Sequence, residues 1–218
     1  MVIENLLIHI LLAVIVIVIA IFRFSLFSSE AKGKRGERII ANYLKKLDPD
    51  IYSVMNDVML PDGITCGGTT QIDHIVLSVY GIFVIETKHY SGWIFGDEKS
   101  SQWCQSIYGY RSYFQNPYRQ NYKHVCCLSA LTGIPRNSFI QIVAFTGDCS
   151  IKTIEELPTS FVTDRDELLT FILAHKTKIL DKNAVAFIEK TIRSFLIKKT
   201  TVSLDSHVSY VSQRKYRN

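Results

Sequence analysis

Hydrophobic and polar positions divide this chain into distinct stretches. From Leu6 to Phe22 every residue except His9 is apolar, and Phe24, Leu26 and Phe27 extend the run. At about 1.5 Å per residue, some twenty helical residues cross a hydrocarbon layer of about 30 Å, so residues 6–27 read as a membrane span. Glu4 and the lack of a preceding Lys or Arg fit poorly with a cleaved leader. Arg23, Lys32, Lys34, Arg35 and Arg38 all follow the span, which predicts a single-pass anchor over 1–27 with the rest of the chain facing the cytoplasm. A polar linker is expected over 28–35.

Helical spacing of Ile39, Ile40, Tyr43, Leu44 and Leu47 predicts a helix stopped by Pro49. Residues 51–60 read as a strand, and Pro61, Gly63, Gly67 and Gly68 as a loop. Strand-like runs follow at 71–78 and 82–88, with Gly81 giving a tight connection, and a shorter run at 93–95. Residues 102–114 suggest a hairpin or an irregular edge. Asn116 and Pro117 open a helix expected from 118 to 131 and closed by Gly133. An apolar strand is expected at 139–145 and a short one at 161–162. Asp164 is placed to cap a helix reaching about His175, and a last helix is expected at 183–198. Residues 199–218 are polar, basic and aperiodic, and read as a flexible tail. The expected fold class is α/β: a mostly antiparallel group of strands, extended by one strand after a crossover helix and flanked by helices.

Asp73, Glu86 and Lys88 carry the candidate chemistry. Residues i and i+2 of a strand share a face, so Glu86 and Lys88 project side by side. If the strands at 71–78 and 82–88 pair as a hairpin, Asp73 lies opposite Glu86. Two carboxylates and an ammonium on an apolar sheet are costly unless a cation or ligand uses them. His74 points to the other face of a regular strand and reads as structural. Trp93 and Trp103 read as core or hairpin packing rather than as base-stacking surfaces.

Composition changes this picture little. The chain is 47% hydrophobic with a net charge of +5 and a pI near 8.9, which permits a nucleic-acid partner without requiring one. Five cysteines, odd in number and without a C-x-x-C pair, argue against a zinc site and for reduced thiols. A nucleophile elbow and a phosphate-binding P-loop are both absent, so serine hydrolase and ATPase chemistry are not indicated.

Five segments together resemble the nuclease-related domain (NERD) family of the PD-(D/E)xK nuclease superfamily. They are Gly36-Glu37; the strand around Asp73; the run ending Glu86-Thr87-Lys88; Gly92 to Gly96; and the stretch from Asn116-Pro117 to Gln120. The resemblance covers roughly residues 30 to 150. Asp73 follows Ile72 where the superfamily's name has proline, a minor departure because the carboxylate carries the charge. The resemblance implies a restriction-endonuclease-like core over 36–198 and hydrolysis of phosphodiester bonds with Mg²⁺ or Mn²⁺. It implies Asp73, Glu86 and the Thr87 carbonyl as metal ligands and Lys88 as the group that orients or helps deprotonate the attacking water. Glu37 would complete the shell, and Gln120 would hydrogen-bond a phosphate, a water or Lys88. His124, one turn beyond Gln120, could reach the same cleft, with a structural role as the alternative.

The function expected from this reading is membrane-anchored nuclease activity in DNA processing, with a protein partner able to help hold substrate. A catalytically inactive nucleic-acid-binding or scaffold module at the membrane is the alternative. Hydrolysis of another phosphoester would share the same site.

Overall fold

The computed structural model describes residues 2–63, 68–153, 161–162 and 165–197; the side chains of 2–8, 22–28, 161–162 and 165 lie outside the description. The chain divides into two compact units, Met1–Arg35 and Gly36–Asn218.

The first helix, α1 (Val2–Leu44), is continuous through the stretch expected to be a linker. Residues 28–35 hold mostly good helix formers, a Glu30–Lys34 ion pair sits one turn apart, and Gly33 costs only about 1 kcal/mol. In the first unit, apolar side chains at Ile10, Leu11, Leu12 and Val14 through Ile19 are all exposed. No helix among the described residues is long and apolar enough to cross a membrane. Of the anchor expected over 1–27, the side chains of 1–8 and 22–27 lie outside the description.

The second unit is built on a five-stranded sheet. Its strands are β1 (Ser53–Pro61), β2 (Thr69–Ser78), β3 (Gly81–Lys88), β7 (Phe139–Phe145) and β9 (Phe161–Val162), in the order β1-β2-β3-β7-β9. Three strands are antiparallel neighbours in sequence, and β7 joins β3 in parallel after α2 (Pro117–Thr132) crosses over, as the pattern of strands and helices anticipated. The β2–β3 turn needs Gly81, whose φ is 153° and whose added Cβ would stand 2.6 Å from Ile140 Cδ1.

Alternation along the strands sends side chains to two cores. Ile75, Leu77, Ile82 and Val84 pack under Val125 and Leu128 of α2 and under Ile188 and Ile192 of α4 (Lys182–Ser194). Val76, Phe83 and Ile85 pack under Ile40 and Leu44 of α1 and under Leu168 and Ile172 of α3 (Arg165–Ala174). Each such fully buried aliphatic side chain contributes roughly 1.5–3 kcal/mol. This is a three-layer α/β/α sandwich. The last helix starts at Lys182 under an Asp181 cap, Ala184 N–H donating to Asp181 Oδ1 at 2.7 Å, and ends at Ser194 rather than 198. Asp164, Cys66 and the expected tail at 199–218 are outside the described residues.

The expectation of one mixed sheet is corrected by a second one. Strands β4 (Gly92–Phe95), β5 (Gln102–Ile107), β6 (Tyr110–Gln115) and β8 (Cys149–Ile151) form a separate sheet ordered β6-β5-β4-β8. Strand β8 has three residues and no alternation of its own, which is why the sequence did not betray it. Ile94 and Trp103 of this sheet pack on Val143 and Phe145, so the small sheet shares a core with β7. Trp103 packs so closely that a Cβ on Gly96 would lie 2.1 Å from its indole ring.

Candidate active site

Asp73 and Glu86 come together where β2 and β3 part. The β2–β3 register is paired from Ser78↔Gly81 to His74↔Ile85, one step short of Asp73 and Glu86. There the ladder is replaced by a side-chain bond: the Thr87 N–H donates to Asp73 Oδ2 at 2.7 Å. Asp73 shares its face with Ile75 and Leu77, and Glu86 and Lys88 share theirs with Val84, so all three lie in the layer covered by α2.

Helix α2 is aimed at this point by two asparagines. Asn116 caps it through the Tyr118 N–H at 2.9 Å, while its Nδ2 donates to the carbonyls of Asp97, Glu98 and Ser100 at 2.7–3.0 Å. Fully buried Asn121 donates to Val84 O at 2.9 Å and Ile142 O at 3.0 Å, bracing the helix across β3 and β7. Positions 120 and 124 are one turn apart and face the same way. Lys88 Nζ accordingly donates to Glu86 Oε1 at 2.6 Å and to Gln120 Oε1 at 2.9 Å. His124 Nε2 lies 3.2 Å from Glu86 Oε2, and its Nδ1 2.8 Å from Thr70 Oγ1. With Nε2 donating to the carboxylate, Nδ1 is left to accept the Thr70 hydroxyl proton.

Electrostatics separate the two carboxylates. Burial, reinforced by the charges of Glu86 and Glu37, holds the Asp73 carboxyl well above its ordinary range, against the lowering effects of the Thr87 N–H and Lys88. Burial alone would raise Glu86 too, but Lys88 and His124 outweigh it and hold Glu86 below the usual carboxylate range. Lys88 in turn is raised despite burial, because Glu86 and Asp73 favour its charged form. One carboxylate is compensated by the Lys88 ammonium and the His124 ring, and the other is crowded by like charge.

The sequence-based site residues fare differently. Asp73, Glu86, Lys88 and Gln120 are joined by direct bonds or by electrostatic contact. Glu37 stands in the electrostatic field of Asp73, brought close because Gly36 lets α1 approach His89 and Thr146; a Cβ there would meet His89 Cβ at 2.7 Å. Among the described residues no group of three or more His, Cys, Asp and Glu side chains is arranged to hold a metal ion. Thr87 contributes its N–H to Asp73, while its buried Oγ1, on the opposite face of β3, makes no hydrogen bond. His74 lies on that opposite face, as alternation predicts, bonded through Nδ1 to Asn56 Oδ1 at 2.7 Å. The bracing by Asn121 was not anticipated; its only signal is a polar residue amid the apolar positions of α2.

Tyr90 is a further addition to the site. It follows Lys88 by two residues, feels the charges of Lys88 and Glu86, and stacks on Phe114 with ring centroids 4.4 Å apart. The site is thereby continuous with the second sheet.

Residues 32–146 match the family model of the nuclease-related domain. An uncharacterized protein of Bacillus anthracis is 45% identical over 123 residues, which is 56% of this chain and 57% of that protein. The chain thus matches little more than half the length of that relative. No solved structure matches the chain significantly.

Proposed function

This chain belongs to the nuclease-related domain family, of the PD-(D/E)xK-like nuclease superfamily, and from that premise we propose that it is a divalent-metal-dependent nuclease acting on DNA. The single observation that carries this reading is the juxtaposition of Asp73, Glu86 and Lys88 at the parted ends of β2 and β3. Two carboxylates beside each other, one of them uncompensated, repel a phosphodiester unless a cation intervenes. Such hard oxygen donors suit Mg²⁺ or Mn²⁺, and members of this superfamily are typically dependent on a divalent metal.

Asp73 and Glu86 are the side chains that would hold the ion, with the Thr87 carbonyl as a backbone donor and Glu37 acting from the neighbouring helix. When bound, the ion supplies a Lewis acid and lowers the pKa of water. Lys88 holds the attacking water and offsets negative charge developing on the phosphoryl oxygens. Gln120 fixes the ammonium by accepting its second hydrogen bond, and His124 does the same for the far oxygen of Glu86. Both supports come from one helix braced by Asn121, which favours a rigid site.

We also read residues 6–27 as a membrane anchor that leaves the nuclease on the cytoplasmic side, a reading supported by the apolar run and the basic residues after it. Alkaline extraction of membranes tests it; release of the full chain into the soluble fraction would end it.

The test of activity uses the full chain with labelled single- and double-stranded DNA and RNA, in Mg²⁺, Mn²⁺ or EDTA. Cleavage that needs the ion and disappears in Asp73→Ala and Lys88→Ala supports the reading. Folded, nucleic-acid-binding protein that never cleaves would favour the inactive binding module.

A further inference from the structure

The expectation that both tryptophans are packing residues holds for only one of them. Trp103 is 1% exposed inside the third core, whereas Trp93 is 57% exposed. The register of the second sheet explains the difference and reveals its neighbours. Trp93 pairs with Ser106, which pairs with Arg111; two residues along, Phe95 pairs with Cys104, which pairs with Tyr113. These two rows point away from the core that receives Ile94 and Trp103. Tyr113 is 63% exposed, and Phe95 is also exposed.

We propose that the outward face of this sheet, formed by Trp93, Phe95, Arg111 and Tyr113, is a stacking platform for the unpaired bases of a single-stranded nucleic acid. The proposal rests on the nuclease reading and narrows its substrate to single strands.

Two observations favour this occupant. Aromatic residues suit strands in general, but on a face open to water they bring no burial, and a merely solvated face would carry charged or hydroxyl side chains. Secondly, Arg111 is the only charged residue in β4, β5 and β6. The face therefore offers π-surfaces to bases and a guanidinium to phosphate, with no carboxylate of its own to repel a polyanion.

The hairpin tip points the same way. Tyr108 adopts φ 48°, a left-handed conformation that Asn or Gly takes more easily, and its side chain is 98% exposed. Nothing within the fold repays an aromatic residue there. Base stacking is a sequence-tolerant interaction, because every base has a face to offer, and duplex DNA hides those faces.

Fluorescence tests the proposal directly, since the chain has only two tryptophans and one is buried. Full chain in detergent and EDTA is titrated with an oligothymidylate and with a duplex of the same length; full chain in EDTA without detergent is titrated with zwitterionic lipid vesicles. Saturable quenching by the single strand is expected, absent in Trp93→Phe, with weaker quenching by duplex. Tyr113→Ala should bind the single strand about five- to a hundred-fold more weakly, the loss of one base stack. An unchanged near-ultraviolet circular dichroism spectrum, dominated by packed Trp103, certifies that variant's fold; Tyr113→Phe should restore binding.

A blue shift of Trp93 emission on vesicles, with no quenching by the oligonucleotide, would overturn the proposal in favour of a lipid surface. So would equal affinity of Tyr113→Ala and the parent. The two readings can fail separately. Asp73→Ala should still show Trp93 quenching, so binding without any cleavage sinks the nuclease and leaves the platform. Metal-dependent cleavage unaffected by Trp93→Ala and Tyr113→Ala sinks the platform and leaves the nuclease.

Discussion

Glu86 and Lys88, two residues apart on β3, form a 2.6 Å ion pair whose side chains are 2% and 16% exposed. Removing one member of a buried pair strands the other charge away from water, at about 3–5 kcal/mol. Lys88→Met should therefore destabilise the fold by about that amount, and Glu86→Gln should do so as well. The double variant Glu86→Gln/Lys88→Met leaves no orphan charge and should lose clearly less than the sum. Urea denaturation of the four proteins measures the coupling. Strict additivity would mean that the pair is not coupled in solution.

Asp73 presents the opposite case. Its carboxyl is held high by burial and by Glu86 and Glu37, so its negative charge is a burden on the metal-free fold. Asp73→Asn keeps an acceptor for the Thr87 N–H and removes the repulsion. In EDTA this variant should be as stable as the parent or more stable. Added Mg²⁺ should raise the melting temperature of the parent, the gain reaching about 2.7 kcal/mol at a hundredfold excess over the dissociation constant. Asp73→Asn should not respond. A parent whose Tm ignores both Mg²⁺ and Mn²⁺ would remove the proposed ion site.

Much of this was legible because strands obey a period of two. Alternation put Glu86 and Lys88 on one face and His74 on the side opposite Asp73, hairpin pairing of the two strands brought Asp73 toward Glu86, and the crossover to β7 followed from a helix lying between apolar strands. What escaped was the set of long-range contacts that no local period encodes. The partition of β4, β5, β6 and β8 into their own sheet depends on Trp103 packing against Phe145, more than forty positions away. The bond from His124 to Glu86 needs the crossing direction of α2, which is set by Asn116 and Asn121. The continuity of α1 was missed because polar composition suggested a linker, although those residues are good helix formers.

Gly147 supplies a third prediction, at the junction of the two sheets. A Cβ there would stand 1.7 Å from Tyr90 O and 2.6 Å from its carbonyl carbon, a clash with backbone that no rotamer relieves. Overpacking commonly costs about 1–3 kcal/mol, and Gly147→Ala should reach or pass the upper end. Because Tyr90 lies two residues from Lys88, activity should fall as well, and Trp103 emission should shift to the red as β4 and β8 separate. Gly33→Ala is the contrast: no atom lies within 4 Å of its added Cβ, and it sits within α1. That change should be neutral or stabilise by up to about 1 kcal/mol. Equal melting temperatures for the two variants would contradict the packing at Gly147.

His74 makes one acid-sensitive contribution to stability. Burial pushes its imidazole down to about 4, against the raising influence of Glu86 and Asp57, from an ordinary value of 6.5. The folded protein thus holds the ring neutral at pH values where the unfolded chain already protonates it. Stability from this group is complete above pH 6.5 and drains away as pH falls toward 4, where the folded ring also takes its proton. The full loss is about 3 kcal/mol, because each tenfold difference in proton affinity between the folded and unfolded ring is worth roughly 1.4 kcal/mol. The sign follows from the proton count: between pH 6.5 and 4 the unfolded state binds more protons, so acid favours unfolding. In an Asp73→Asn background, where protonation of Asp73 no longer offsets the loss, denaturation midpoints measured at half-unit steps from pH 7.5 to 4.5 should decline, and the decline should flatten when His74→Gln is added, which keeps a polar group against Asn56. NMR titration of the ring gives the direct reading. A His74 resonance that titrates near 6.5 in the folded protein would show that this ring is not held neutral by burial.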